Sequence, residues 1–411
     1  MKNKGQKKVN FIWNSIAGLI NAGESVLILM VCTRTAGLET AGILTIAFAI
    51  ANLVMAIGKF GMRTYQVTDA VRKFDETDYF SSRVLTVTAM ILISGILESA
   101  NYVRGTHTFY KAMAIFLLCV IYAVESVEDV FAGMLQKINR LDIGSKIFII
   151  RWIGILSLFL VGLCQNVDLL KIEVGAIIFS IVIDAILIKK TFAKVHMEKV
   201  RFETKKVHAL ILTCMPLFLV AFLSLYLTNA PKYAIDAYMS SEVQAKYGFI
   251  SMPVFVISLL NSFLYQPLLV EMSLLWDKKD VNGLRKIIRK QIKWIGVLTV
   301  CIMIGAYVVG IPALEWLYHA ELNDYRVPFL ILMIGGGLLA IVGYESVVLT
   351  IMRYQKQVLI GYAVVTGIGA LLFGKCVLIY GILGSVVFYD GLMLMLVYIF
   401  GICIARDMKS A

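Results

Sequence analysis

Apolar runs of roughly 18 to 25 residues follow one another along almost the whole chain, each long enough to cross the hydrocarbon of a bilayer as a helix. They cover residues 11–33, 41–62, 80–98, 112–135, 147–164 and 172–188, then 209–230, 248–270, 294–312, 327–352, 358–380 and 383–404. No stretch between them leaves room for a soluble domain. The pattern predicts an all-α polytopic membrane protein of about twelve transmembrane helices.

Composition agrees, because 60% of the 411 residues are hydrophobic and the mean hydropathy is +0.83, well above the roughly 45–50% apolar share of a soluble domain. Charge adds orientation. Most of the 39 Lys and Arg sit in alternate gaps, and the positive-inside rule then places both termini in the cytoplasm. The heaviest inner clusters occupy residues 189–206 and 278–293. The net charge of +12 therefore reads as topology and anionic-lipid contact rather than as nucleic-acid binding. The basic start is followed by a run too long for a secretory signal and lacking a small-residue cleavage pattern, so it is expected to remain as the first span. The seven cysteines are scattered singly, without metal-ligand or disulfide spacing. His107, His196, His208 and His319 fall in loops or at span ends and form neither a metal nor a triad pattern. No metal, cofactor or covalent catalysis is expected.

The basic stretch at residues 189–208 divides the spans into two sets of six, giving expected helical bundles over residues 1–205 and 206–411. An even number of spans leaves both halves in the same orientation, and transporters built on such parallel repeats bind substrate between the halves. All six prolines, including Pro216 and Pro231 of span seven, lie in the second half. Proline frees a backbone carbonyl and permits a bend, so Pro216 and Pro231 are candidate hinge positions.

An ionisable group in mid-membrane costs at least about 2.5–3.5 kcal/mol, so each needs a partner, water or a function. In span one, Asn14, Gly18, Asn21 and Ser25 draw a polar stripe beside Glu24; span two continues with Thr45, Asn52 and Lys59, then Arg63. In span eight Ser258, Ser262 and Gln266 align, with Asn261 and Tyr265 alongside. These stripes read either as walls of a wet cavity or as helix-to-helix hydrogen bonding. Nearer the cytoplasm, Glu125, Glu128 and Asp129 share a face of span four, while Arg83, Arg151 and Asp184 enter from spans three, five and six at comparable depth. Unlike charges at equal depth predict a mutually neutralising network. Glu24 and Glu345 have no cation within a turn of their own helices, which suits carboxyls that take up and release protons. The glycines at 335–337 sit in an apolar helix, where close packing explains them better than phosphate binding.

Several short segments then carry a resemblance. Thr33-Arg34-Thr35-Ala36-Gly37-Leu38, followed by Ala41-Gly42 and Ala47, resembles the signature between the first two spans of polysaccharide flippases of the multidrug/oligosaccharidyl-lipid/polysaccharide (MOP) exporter superfamily. Gly133-Met134-Leu135-Gln136 with Arg140 is similar to that family's close of span four, and Asn229-Ala230-Pro231-Lys232-Tyr233 to its close of span seven. Residues 314–325 resemble the external segment before span ten. Ala36 departs from the usual Leu, and the chain has twelve spans where many relatives have fourteen.

The resemblance implies two six-helix bundles around a central cavity in a bacterial plasma membrane. It also implies a flippase that moves a polyprenyl-pyrophosphate-linked oligosaccharide, such as an O-antigen, capsule or teichoic-acid repeat, to the outer leaflet. The expected substrate contacts are Asn21, Asn52, Lys59, Arg63, Asn229, Lys232, Asn261 and Gln266, since a glycan needs hydrogen-bonding groups and a pyrophosphate needs cations. Membrane lipids are expected contacts, and a glycan polymerase and other cell-envelope assembly proteins are candidate partners. An ion-coupled exporter of the multidrug-and-toxin-extrusion (MATE) branch is the alternative, although cationic drugs would favour an acidic cavity. A membrane glycan polymerase or ligase fits less well, because the external connections are short and concentrate no acid, base and cation. The chain carries no nucleotide-binding loop of the G-x-x-x-x-G-K-[ST] type, which leaves an ion gradient as a source of drive.

Overall fold

A computed structural model of the protein describes residues 2–69, 73–192 and 202–410. His196 and most of the basic stretch after span six lie outside the described residues, as does the side chain of Ser262. The chain forms two compact units, Met1–Leu225 and Tyr226–Ala411.

The first unit contains α1 (Lys2–Thr35), α2 (Gly37–Lys59), α3 (Met62–Thr68), α4 (Glu76–Val103), α5 (Phe109–Lys137), α6 (Leu141–Cys164), α7 (Leu169–Phe192) and most of α8 (Thr204–Tyr238), as far as Leu225. The rest of α8 belongs to the second unit, with α9 (Ser241–Tyr265), α10 (Leu269–Asp277), α11 (Val281–Gly305), α12 (Ile311–Tyr318), α13 (Arg326–Ile351) and α14 (Gln355–Ser410). Gly381 (φ 59°, ψ −144°) breaks α14 into two antiparallel lengths, in a backbone region that is essentially reserved for glycine.

Among the described residues, eight helical stretches are long and apolar enough to cross a membrane, the last of them the bent α14. Adding α5, α7 and α9, each of 24 residues or more, and counting α14 twice gives twelve helices of spanning length. They lie where the apolar runs lie. The protein is an all-α multi-pass membrane protein.

In the first unit α5 is the centre, packed on α2, α4, α6 and α7, while α1 lies on α6 and α2. Residues 41–51 of α2 are buried on every side, which their small and aliphatic side chains permit where membrane helices approach closely. Inside the second unit α13 is the centre, between α14, α9 and α11. Its three consecutive glycines each admit a different neighbour: Gly335 faces Asp390 and Tyr389 of α14, Gly336 faces Val254 and Ile257 of α9, and Gly337 faces Thr299 of α11.

Candidate functional site

The polar stripe of α1 supplies the first wall of a cavity in the first unit. Asn14, Gly18 and Asn21, spaced four and three apart on one helical face, line a space of about 290 Å³ together with Lys59, Arg63 and the carboxylates of α5. A second space of about 590 Å³ shares Asn14, Lys59 and Arg63 with the first and adds Asn52 and Gln136. The two basic side chains therefore stand on the common border.

A broken helix places them there. At the end of α2 the backbone turns left-handed at Phe60 (φ 49°) and Gly61 (φ 64°), and α3 starts at the next residue. Lys59 thus closes one helix and Arg63 opens the next. A Cβ at position 61 would stand 2.9 Å from the Leu217 Cβ of α8, so glycine is required by both conformation and space. Phe60 stacks on Phe218 with ring centroids 4.3 Å apart and joins a core with Met62, Phe74, Tyr79, Val130 and Leu210.

Behind the two cations lies a buried charge network. The Lys59 ammonium is 2.8 Å from Glu125, and the Arg63 guanidinium is 3.1 Å from Asp129 and donates to Gln136. Arg83 bridges Asp129 at 2.9 Å and the Gly58 carbonyl at 2.7 Å, which ties it to the carbonyl end of α2. Arg151 reaches Glu128 at 2.8 Å, Glu125 at 3.1 Å and Asp184 at 3.7 Å, and the indole of Trp152 donates to Glu125 at 2.9 Å. Arg83, Glu125, Glu128, Asp129, Arg151 and Asp184 are thus brought into one cluster, and Lys59 and Arg63 complete it. Exposure sorts its members: the Lys59 and Arg63 side chains are 31% and 33% exposed, whereas Glu125 and Asp129 are 3% and 10%. Both signs line the cavity, and the cations are its more exposed members.

Glu24 is buried in α1 and accepts a hydrogen bond from the Tyr122 hydroxyl of α5, while its second oxygen has no partner among the described residues. Glu345 of α13 is buried, likewise with one oxygen unpartnered. Asn52 bonds to the Phe48 carbonyl of its own helix. In the second unit Asn261 is 1% exposed, donates to the Ala340 carbonyl of α13 and accepts from Gln291 of α11, so its amide ties three helices together. Gln266 is exposed in a short 3-10 turn after α9. Asn229 and Lys232 are half-buried on α8, and among the described residues Lys232 pairs with no carboxylate. Helix α8 runs without a break through Pro216 and Pro231, and the division between the two units falls between them.

Tyr122 and Trp152 escaped the reading of the sequence, and Gln136 entered it only as part of a motif. A signal existed for two of them: Tyr122, Glu125, Asp129 and Gln136 recur at intervals of three, four and seven on α5, a single helical face.

No protein-family model matches the sequence, and no curated protein matches it. Solved structures do. The chain is similar to a multidrug resistance MATE family transporter of the MOP superfamily in its inward-facing conformation, with TM-score 0.71, 11% identity and coverage of 98% of both chains. It is similar to the lipid II flippase MurJ in an inward closed conformation, with TM-score 0.72 and 16% identity over 97% of this chain and 89% of that one. The MATE multidrug transporter DinF-BH gives TM-score 0.67 and 15% identity over 98% of this chain and 95% of that one. The chain shares the fold of these transporters.

Proposed function

We propose that the protein is an alternating-access membrane transporter that moves an anionic, polyprenyl-pyrophosphate-linked glycan from the cytoplasmic to the outer leaflet. One observation carries the choice of substrate: of the charged side chains that line the cavity of the first unit, the cations are far more exposed than the carboxylates they pair with. Lys59 and Arg63 are about a third exposed while their partners are nearly buried, a polarity that attracts phosphate and repels an organic cation. Asn14, Asn21 and Asn52 on the same walls supply amides for sugar hydroxyls, and the lipid tail can stay in the bilayer. The motif resemblance to polysaccharide flippases points the same way. The MATE-type exporter remains the competing reading on fold, and the assay separates the two.

Purified protein in proteoliposomes is expected to flip a fluorescent polyprenyl-pyrophosphate oligosaccharide and to leave a cationic dye in place. Lys59→Ala combined with Arg63→Ala is expected to lower flipping by at least tenfold. The double variant should still fold, because Glu125 keeps Arg151 and Trp152, and Asp129 keeps Arg83. Full flipping by the folded variant overturns the assignment of these two cations, and dye transport without glycan flipping overturns the substrate class.

A further inference from the structure

The second unit carries a basic surface that the transport reading does not use. In the sequence, residues 278–293 join two spans, but from Val281 onward they are helical and form the opening turns of α11. Asp280 caps that helix by accepting the Gly283 N–H at 2.9 Å. Leu284, Ile288, Gln291 and Ile295 are buried and, at about 100° per residue, share one face. Arg285, Lys286, Arg289, Lys290 and Lys293 occupy the opposite arc; all but the half-buried Arg285 are exposed, and none forms an ion pair with another described residue.

The rest of α11 shows what that arc faces. From Trp294 the helix turns apolar, and its exposed large apolar side chains are Trp294, Val297, Val300 and Ile304. By the same helical geometry Val297, Val300 and Ile304 fall on the arc of the basic residues. That exposed apolar strip therefore runs directly into five cations that form no ion pair among the described residues, with a half-exposed indole at the junction. Tryptophan favours that level of a bilayer. Lys293 borders the apolar length and Arg285 lies about 12 Å further out along the axis.

We propose that the basic arc of α11 is a binding surface for the phosphate head groups of anionic phospholipids in the leaflet that borders it. A protein partner would dock against side chains pointing into solvent, whereas these cations continue a lipid-facing strip, and charge complementarity selects anionic over zwitterionic head groups. Each basic residue at an anionic surface strengthens the contact by about fivefold, falling off within a Debye length. Lys290 and Lys293 therefore contribute more than Arg285.

The test uses the full chain in phosphatidylcholine bilayers containing a minor share of spin-labelled phosphatidylglycerol or spin-labelled phosphatidylcholine, reading the motionally restricted fraction of each. Wild type is expected to prefer phosphatidylglycerol, and Lys286→Gln, Arg289→Gln, Lys290→Gln and Lys293→Gln together are expected to lower that preference by roughly fivefold or more. Removing as many charges at Lys189, Lys190, Lys205 and Lys206 should lower it less, since Lys206 already pairs with Asp75, Asp78 and Glu203. Lys290→Gln alone should lower it more than Arg285→Gln alone, and raised sodium chloride should abolish it in wild type. The single variants and the salt series keep the test open if the quadruple variant does not fold. Inorganic phosphate at matched ionic strength should not compete; competition would show a free-phosphate site instead. An unchanged preference in the quadruple variant, an equal loss in the control, or a preference insensitive to salt overturns the proposal. None of these readouts requires transport, so the outcome is independent of the substrate reading.

Discussion

At the residue scale, the network in the first unit holds cations of two kinds. Arg151 is fully buried, lies within ion-pair distance of three carboxylates and packs beside Phe148 and Trp152. Removing it leaves Glu128 and Asp184 without another cation in the network. Arg151→Leu is therefore expected to destabilise the protein by about 3–5 kcal/mol, read as a lowered melting temperature in detergent, whereas Lys59→Ala should cost much less because Glu125 retains Arg151 and Trp152. Equal losses from the two would show that the outer cation is as structural as the inner one. Opposite charges at one depth made the inner set legible in the sequence. The inclusion of Lys59 and Arg63 was not, because their partners lie 66 residues further along the chain and the backbone turn that aims them is invisible to hydropathy.

At the element scale, apolar run length located every spanning helix, but it could not locate their breaks. Hydropathy reports where lipid is, while helix ends depend on backbone conformation and hydrogen bonding. So the helical start of α11 at Val281, the π-helical turn Ala306–Gly310 ahead of Pro312, and the elbow at Phe60–Gly61 emerge only in three dimensions. Gly61→Ala is expected to destabilise by about 1–3 kcal/mol, since alanine meets both a left-handed backbone and Leu217; an unchanged melting temperature would show that the elbow can relax. Helix α8 is the counterpart case. Its prolines suggested a bend and the described helix is continuous, yet the boundary between the compact units lies between Pro216 and Pro231. If α8 flexes during transport, cysteines introduced at the outer ends of α1 and α8 will crosslink to an extent that changes when lipid-linked glycan is added. Identical crosslinking in both conditions would remove the hinge.

At the scale of the whole molecule, the proposed movement of a large amphiphile in one direction needs a source of free energy, and the chain offers no nucleotide-binding loop. Each unit instead buries carboxyls outside the ion pairs described above, among them Glu24 and Glu173 in the first, Glu24 held on one side by Tyr122, and Glu345 in the second. A ligand or proton can shift a conformational equilibrium only by as much as it binds the two states differently. A carboxyl half-satisfied in one state, and hydrated or paired in another, meets that condition. Transport pulled by downstream glycan polymerisation is the competing source, and it would make both residues structural. Flipping in proteoliposomes under an imposed pH or sodium gradient decides between them. The expected result is a several-fold faster initial rate with a gradient than without, lost in Glu24→Gln and weakened in Glu345→Gln, with basal flipping at zero gradient retained in both. A wild type indifferent to both gradients, or variants that keep the whole gradient response, would place the drive outside the protein and leave Glu24 and Glu345 as hydrogen-bonding groups between helices.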